Sequence, residues 1–128
     1  MNKRSLLWWM VMAIAVLTVV SGLIQMLAPG FVLRVVSAQA TPTSSHFFAI
    51  VGMFMFLFGG ALWQALCSAV PQHAVFIWAG LQKVGAAVAV GLGVSSTIFS
   101  KLSLLVASFD LLSGILIFVY WLTIRHPR

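Results

Sequence analysis

The sequence predicts an all-α membrane protein, a four-transmembrane-helix up-and-down bundle with a long first loop. Three observations lead there. Of the 128 residues, 62% are hydrophobic and 6% charged, where a soluble domain carries about 45–50% and about 25%. Four apolar stretches each reach the roughly 20 residues that a helix needs to cross a hydrocarbon core of about 30 Å. The connections after the second and third stretches are short, and short connections make neighbouring helices antiparallel. The mean hydropathy of +1.15 agrees.

The spans are expected at 6–27, 47–67, 74–94 and 102–124, in a single domain covering 1–128. The first two carry no charge; the third contains Lys83 and the fourth Asp110. In lipid the backbone must satisfy its own hydrogen bonds, which favours helices. Barrel strands would alternate apolar and polar residues over about ten positions, and no such alternation occurs. Pro29-Gly30 is expected to end the first span. Thr41-Pro42-Thr43-Ser44-Ser45 supplies caps ahead of the second. Ser68 to His73 and Ser95 to Ser100 connect the later spans. The first loop, 28–45, is long. Its segment Phe31-Val32-Leu33-Arg34-Val35-Val36 is apolar around one arginine and should lie in the membrane interface. The first span is expected to be retained rather than cleaved. Its apolar run exceeds the roughly 7–15 residues of a signal peptide, and Ala38-Gln39-Ala40 lies far beyond its end.

Charge sets orientation. Lys3, Arg4, Arg125 and Arg128 fall on one side, with only Arg34 and Lys101 opposite. The positive-inside rule then puts both termini in the cytoplasm, in an inner-membrane protein, together with the loop carrying His73. Trp8, Trp9, Tyr120 and Trp121 would form an aromatic belt at that interface.

Lys83 and Asp110 stand near the middle of consecutive antiparallel spans, where a lone charge costs at least about 3 kcal/mol. A hairpin centred on the Ser95–Ser100 loop brings them within about two residues, or about 3 Å, of the same depth. Three- and four-residue steps from Lys83 reach Phe76, Ala79, Gly80, Ala86, Ala87 and Val90. The same steps from Asp110 reach Ser103, Val106, Ala107, Ser113, Gly114 and Ile117. Small residues let membrane helices approach closely. An intramembrane ion pair in one packed seam is therefore expected. Two readings stay open for it: a clamp that sets helix register, or a working site for a proton or ligand.

Similar stripes on the other spans should face the interior. They are Ile14, Thr18, Ser21, Gly22 and Gln25 on the first, and Gly52, Phe56, Gly59, Gly60 and Trp63 on the second. Phe48, Phe54 and Phe58 should face lipid. Gly85, Ala89 and Gly93 form a second small stripe that could pack a partner helix or a second copy of the chain. Gln25, Gln64 and Gln82, with Trp63, Lys83, Asp110 and Ser113, are the candidates for a small pocket that takes a lipid- or quinone-like molecule.

Other chemistry is poorly supplied. His46, His73 and His126 are dispersed, without metal-ligand spacing. Cys67 is alone, which excludes an internal disulfide. There is no phosphate loop and no Ser-His-Asp set, and a single acid excludes two-carboxylate hydrolysis. No cofactor is expected. The scattered basic residues make no nucleic-acid face.

The first span ending in Leu27-Ala28-Pro29-Gly30-Phe31, the long first loop, and the second span with Phe47-Phe48-Ala49-Ile50-Val51-Gly52 and Phe58-Gly59-Gly60 resemble the DoxX-like group of small four-span bacterial membrane proteins. That resemblance implies a four-helix membrane fold. For some members it implies a role as membrane subunit of a quinone-linked oxidoreductase. It assigns no role to a residue here. The leading expectation is an accessory or interaction subunit without its own catalysis. The rivals are a lipid- or quinone-binding pocket protein or small transporter using Lys83 and Asp110, and the quinone-linked subunit.

Overall fold

The structure, a computed structural model, describes residues 4–125. Lys3, His126 and Arg128 lie outside the described residues. Five helices follow in order: α1 (Leu6–Leu27), α2 (Pro29–Val35), α3 (Pro42–Cys67), α4 (His73–Ser95) and α5 (Ser103–Arg125). Four of them are long and apolar enough to cross a membrane, and α2 is the exception. The described residues contain no strand.

Each boundary has a local cause. Ser5 caps α1, its hydroxyl accepting from the Trp8 amide at 3.1 Å. Proline at position 29 does end α1, but it also starts α2, where its missing N–H and fixed φ cost nothing. Seven residues of the expected loop are thereby helical. Leu33 is the one buried side chain of α2, and Phe31, Arg34 and Val35 face outward. The second span begins at Pro42 rather than 47, because Thr41 and Ser44 form a reciprocal capping box. The Thr41 hydroxyl accepts from the Ser44 amide at 3.0 Å, and the Ser44 hydroxyl accepts from the Thr41 amide at 2.8 Å.

The helices pack as two close pairs, α1 with α3 and α4 with α5. Glycine makes the first pair possible. A Cβ on Gly22 would stand 2.5 Å from the Phe56 amide nitrogen, and one on Gly52 would stand 2.6 Å from that of Met26. In the second pair, Gly80 faces the Phe118 ring and Gly114 faces Val84.

The two pairs meet tightly at one end only. There Trp8, Val11, Ile14 and Ala15 of α1 form a continuous core with Leu62, Ala65 and Leu66 of α3, Phe76 and Ala79 of α4, and Ile117 of α5. This is the end where α1 begins and α5 finishes. Trp8 belongs to this core rather than to an outer belt. Its indole N–H donates to the Leu66 carbonyl at 3.1 Å, one of the oxygens that the end of α3 leaves without a helical partner. Trp9 is exposed and meets the Trp8 ring edge-on. At the opposite end the pairs diverge. A backbone bond from Ser100 N to Val36 O, 3.0 Å, ties the α4–α5 connection to the end of α2.

Candidate functional site

The divergence of the two pairs opens a cleft of about 620 Å³ in the half of the bundle away from the start of α1 and the end of α5. Leu17, Thr18, Ser21, Ile24 and Gln25 of α1 form one wall, extended by Val32 and Val36 at the end of the α1–α2 arm. Phe48, Val51 and Met55 of α3 form another. Gln82, Lys83, Ala86, Ala89 and Val90 of α4 stand opposite, with Phe99 beyond them. Ser103, Leu105, Val106, Phe109 and Asp110 of α5 complete the ring. The walls are chiefly apolar, and the strongest polar groups gather where the cleft meets the solid core.

Lys83 and Asp110 are that floor. The Lys83 ammonium lies 3.5 Å from Asp110 Oδ1, so the seam read from the sequence is a buried salt bridge. Lys83 is 4% exposed and Asp110 13%. The shorter contact is elsewhere: Lys83 Nζ donates to the Thr18 hydroxyl at 2.7 Å. Thr18 in turn donates to the Ile14 carbonyl at 2.7 Å. This chain runs from α5 through α4 to α1 and joins the two helix pairs. The Phe109 ring lies 5.8 Å from the ammonium, within the range of a cation–π contact.

The opposite end of the cleft carries two further polar groups. Gln25 is buried, and its amide donates to the Phe48 carbonyl at 3.0 Å. Ser103 is 2% exposed, and its hydroxyl finds no hydrogen-bond partner among the described residues. A buried hydroxyl left unpaired costs about 1–3 kcal/mol.

Of the seven pocket candidates, the structure brings Lys83, Asp110, Gln82 and Gln25 to one cleft. It separates the other three. Trp63 is 43% exposed on the outer face of α3, because Leu62 and Leu66 take the core-facing positions at that end. Gln64 is exposed too. It lines a separate recess of about 280 Å³ near the α3–α4 connection, with Ser68 and Gln72. Ser113 is buried in α5 next to Gly114, outside the cleft lining. Phe48 lines the cleft instead of facing lipid, while Phe54 and Phe58 are exposed as expected. The stripe Gly85, Ala89 and Gly93 is not one surface. Gly85 is open, Ala89 lines the cleft, and Gly93 is covered by the Phe99 ring.

Thr18 is the member that sequence reasoning placed on the interior stripe without linking it to Lys83. The usable signal was depth. In an up-and-down order α1 and α4 run parallel, and Thr18 and Lys83 both lie near mid-span.

His73 Nδ1 accepts from the Trp121 indole at 3.2 Å, which ties α4 to α5 outside the cleft. No group of three or more His, Cys, Asp or Glu that could hold a metal ion occurs among the described residues.

Comparison with protein-family models, with curated proteins and with solved structures finds no match.

Proposed function

We propose that this chain is a non-catalytic inner-membrane protein that binds a small amphiphile, of lipid or quinone size, in the cleft between its helix pairs. The observation that carries the reading is an apolar cleft with a charged floor inside a membrane span. About 620 Å³ falls within the usual range of ligand sites, about 300–1,000 Å³. Apolar walls with a few convergent polar groups are the usual composition of such sites. The unpaired, buried Ser103 hydroxyl supports it, since a ligand group offers the bond that the protein does not. The accessory-subunit reading has no equivalent feature, because the small stripe on α4 is split between cleft, core and surface.

The test fills the cleft. Ala86 is half-buried and lines it, so Ala86→Trp should occupy the space without touching the core at the other end. Protein purified in mild detergent should carry a bound small molecule detectable by mass spectrometry of its extract. Ala86→Trp should lose it. Identical lipid profiles from the two proteins would remove the reading.

A further inference from the structure

The floor of the cleft is charged yet neutral in sum. Lys83 supplies one positive charge and Asp110 one negative, and Asp110 is the only acid in the chain. Neither group is used up. An ammonium has three donors; Thr18 takes one at 2.7 Å, and Asp110 faces the ammonium as a salt-bridge partner at 3.5 Å. A carboxylate offers about four acceptor positions, and Lys83 is its one polar partner among the described residues. Asp110 is also the more open of the two, at 13% against 4%. The cleft floor thus presents a donor and an acceptor side by side.

We infer that the cleft selects a long-chain molecule with an electrically neutral head that bears a hydrogen-bond acceptor and a donor on the same or adjacent atoms. Long-chain alcohols, acylglycerols and fatty amides have such heads. The inference rests on the amphiphile-binding reading and names its ligand class. An acceptor on the head takes the free N–H of Lys83, and a donor on the head bonds to Asp110. A fatty acid would bring a second carboxylate beside Asp110, and like charges repel strongly where water is excluded. An amine would meet the Lys83 ammonium in the same way. A head without polar atoms would leave the spare N–H of Lys83 and the spare lone pairs of Asp110 desolvated and unsatisfied.

The experiment compares three molecules with one tail: oleyl alcohol, oleic acid and oleylamine. Each is titrated onto the purified full-length chain in detergent, and occupancy is read by native mass spectrometry. The wild type should bind the alcohol at least tenfold more tightly than the acid or the amine. Asp110→Asn leaves Lys83 positive, so the acid-to-alcohol ratio should rise at least tenfold. Lys83→Gln should move the ratio toward the amine. If either single variant fails to fold, Lys83→Met combined with Asp110→Leu must abolish the preference for the alcohol. A wild type that prefers the acid or the amine, or ratios that these variants leave unmoved, would overturn the inference while leaving amphiphile binding intact. If none of the three binds, or if Ala86→Trp binds them all as the wild type does, the cleft reading falls and takes this inference with it.

Discussion

A lysine at mid-span has to be compensated from within the protein, because lipid offers no partner. Lys83 meets this with two contacts of different kinds, a charge at 3.5 Å and a hydroxyl at 2.7 Å. Removing one partner of a buried pair strands the other, at about 3–5 kcal/mol, whereas replacing both with apolar residues is often close to neutral. Lys83→Ala and Asp110→Ala should therefore each lower the melting temperature in detergent. Lys83→Met with Asp110→Leu should recover most of the loss. Simple addition of the two single losses in the double variant would show that the charges are not coupled. Thr18→Val keeps the shape and removes the acceptor, so it should cost about 1.5–3 kcal/mol, the worth of a hydrogen bond to a charged group. Thr18→Ser should keep most of that stability. The Lys83–Asp110 contact was legible in the sequence because one short connection fixes the register of α4 against α5. Thr18 was not, because it is 65 residues from Lys83 and no hairpin relates the two.

Glycines within the helices divide by what stands next to them, and the division predicts opposite effects. Gly22→Ala would force a methyl group against the backbone of α3, and Gly52→Ala would do the same against α1. Each should destabilise by about 1–3 kcal/mol as the pair is pushed apart. Gly60 lies in the same sequence stripe but has open space beside it. Gly60→Ala should be neutral or stabilise by up to about 1 kcal/mol through helix propensity. Thermal melting of the three variants distinguishes a tight α1–α3 seam from a loose one. Sequence spacing identified the stripe but not where it leaves the interface, since α3 carries Gly60 and Trp63 outward while Leu62 and Leu66 turn in. The helix ends tell a similar story. Thr97 closes α4 with φ 59°, and Ile98 N bonds back to Gly93 O at 2.9 Å, a left-handed helix end that usually takes glycine. A β-branched residue there is strained. Thr97→Gly should raise stability by up to about 1 kcal/mol, and an unchanged melting temperature would show that the turn relaxes without it. The seven-residue α2 escaped the sequence reading because it is too short for a periodic signal. Only the proline at its first position marked where it starts.

Over the whole molecule, the long apolar runs made the fold class and span count legible, because hydrophobic length is a property of the sequence itself. The cleft was legible only in its ingredients. Gln25, Gln82, Lys83 and Asp110 stand out as polar in apolar spans, but so does Gln64, which the opposite half of the bundle turns outward together with Trp63. Which half is solid depends on where the large core side chains stack between the two helix pairs, and pairwise spacing within single helices does not contain that. The same asymmetry gives the topology a consequence. Four spans put the start of α1 and the end of α5 on the side of the solid core, and from the Lys/Arg balance we propose that this side faces the cytoplasm. That orientation would place the cleft in the outer half of the bilayer, and an amphiphile bound there would come from the outer leaflet. Cys67 makes the arrangement testable without a fusion protein. It is exposed at the end of α3, on the same side as the start of α1. In intact cells stripped of their outer barrier, a membrane-impermeant maleimide should leave Cys67 unmodified, and in inverted membrane vesicles it should react. Ser37 ends α2 on the other side and is exposed. Ser37→Cys, placed in a Cys67→Ser background, should show the reverse pattern. Labelling of Cys67 from outside, with Ser37→Cys protected, would invert the protein in its membrane and turn the cleft toward the cytoplasmic leaflet.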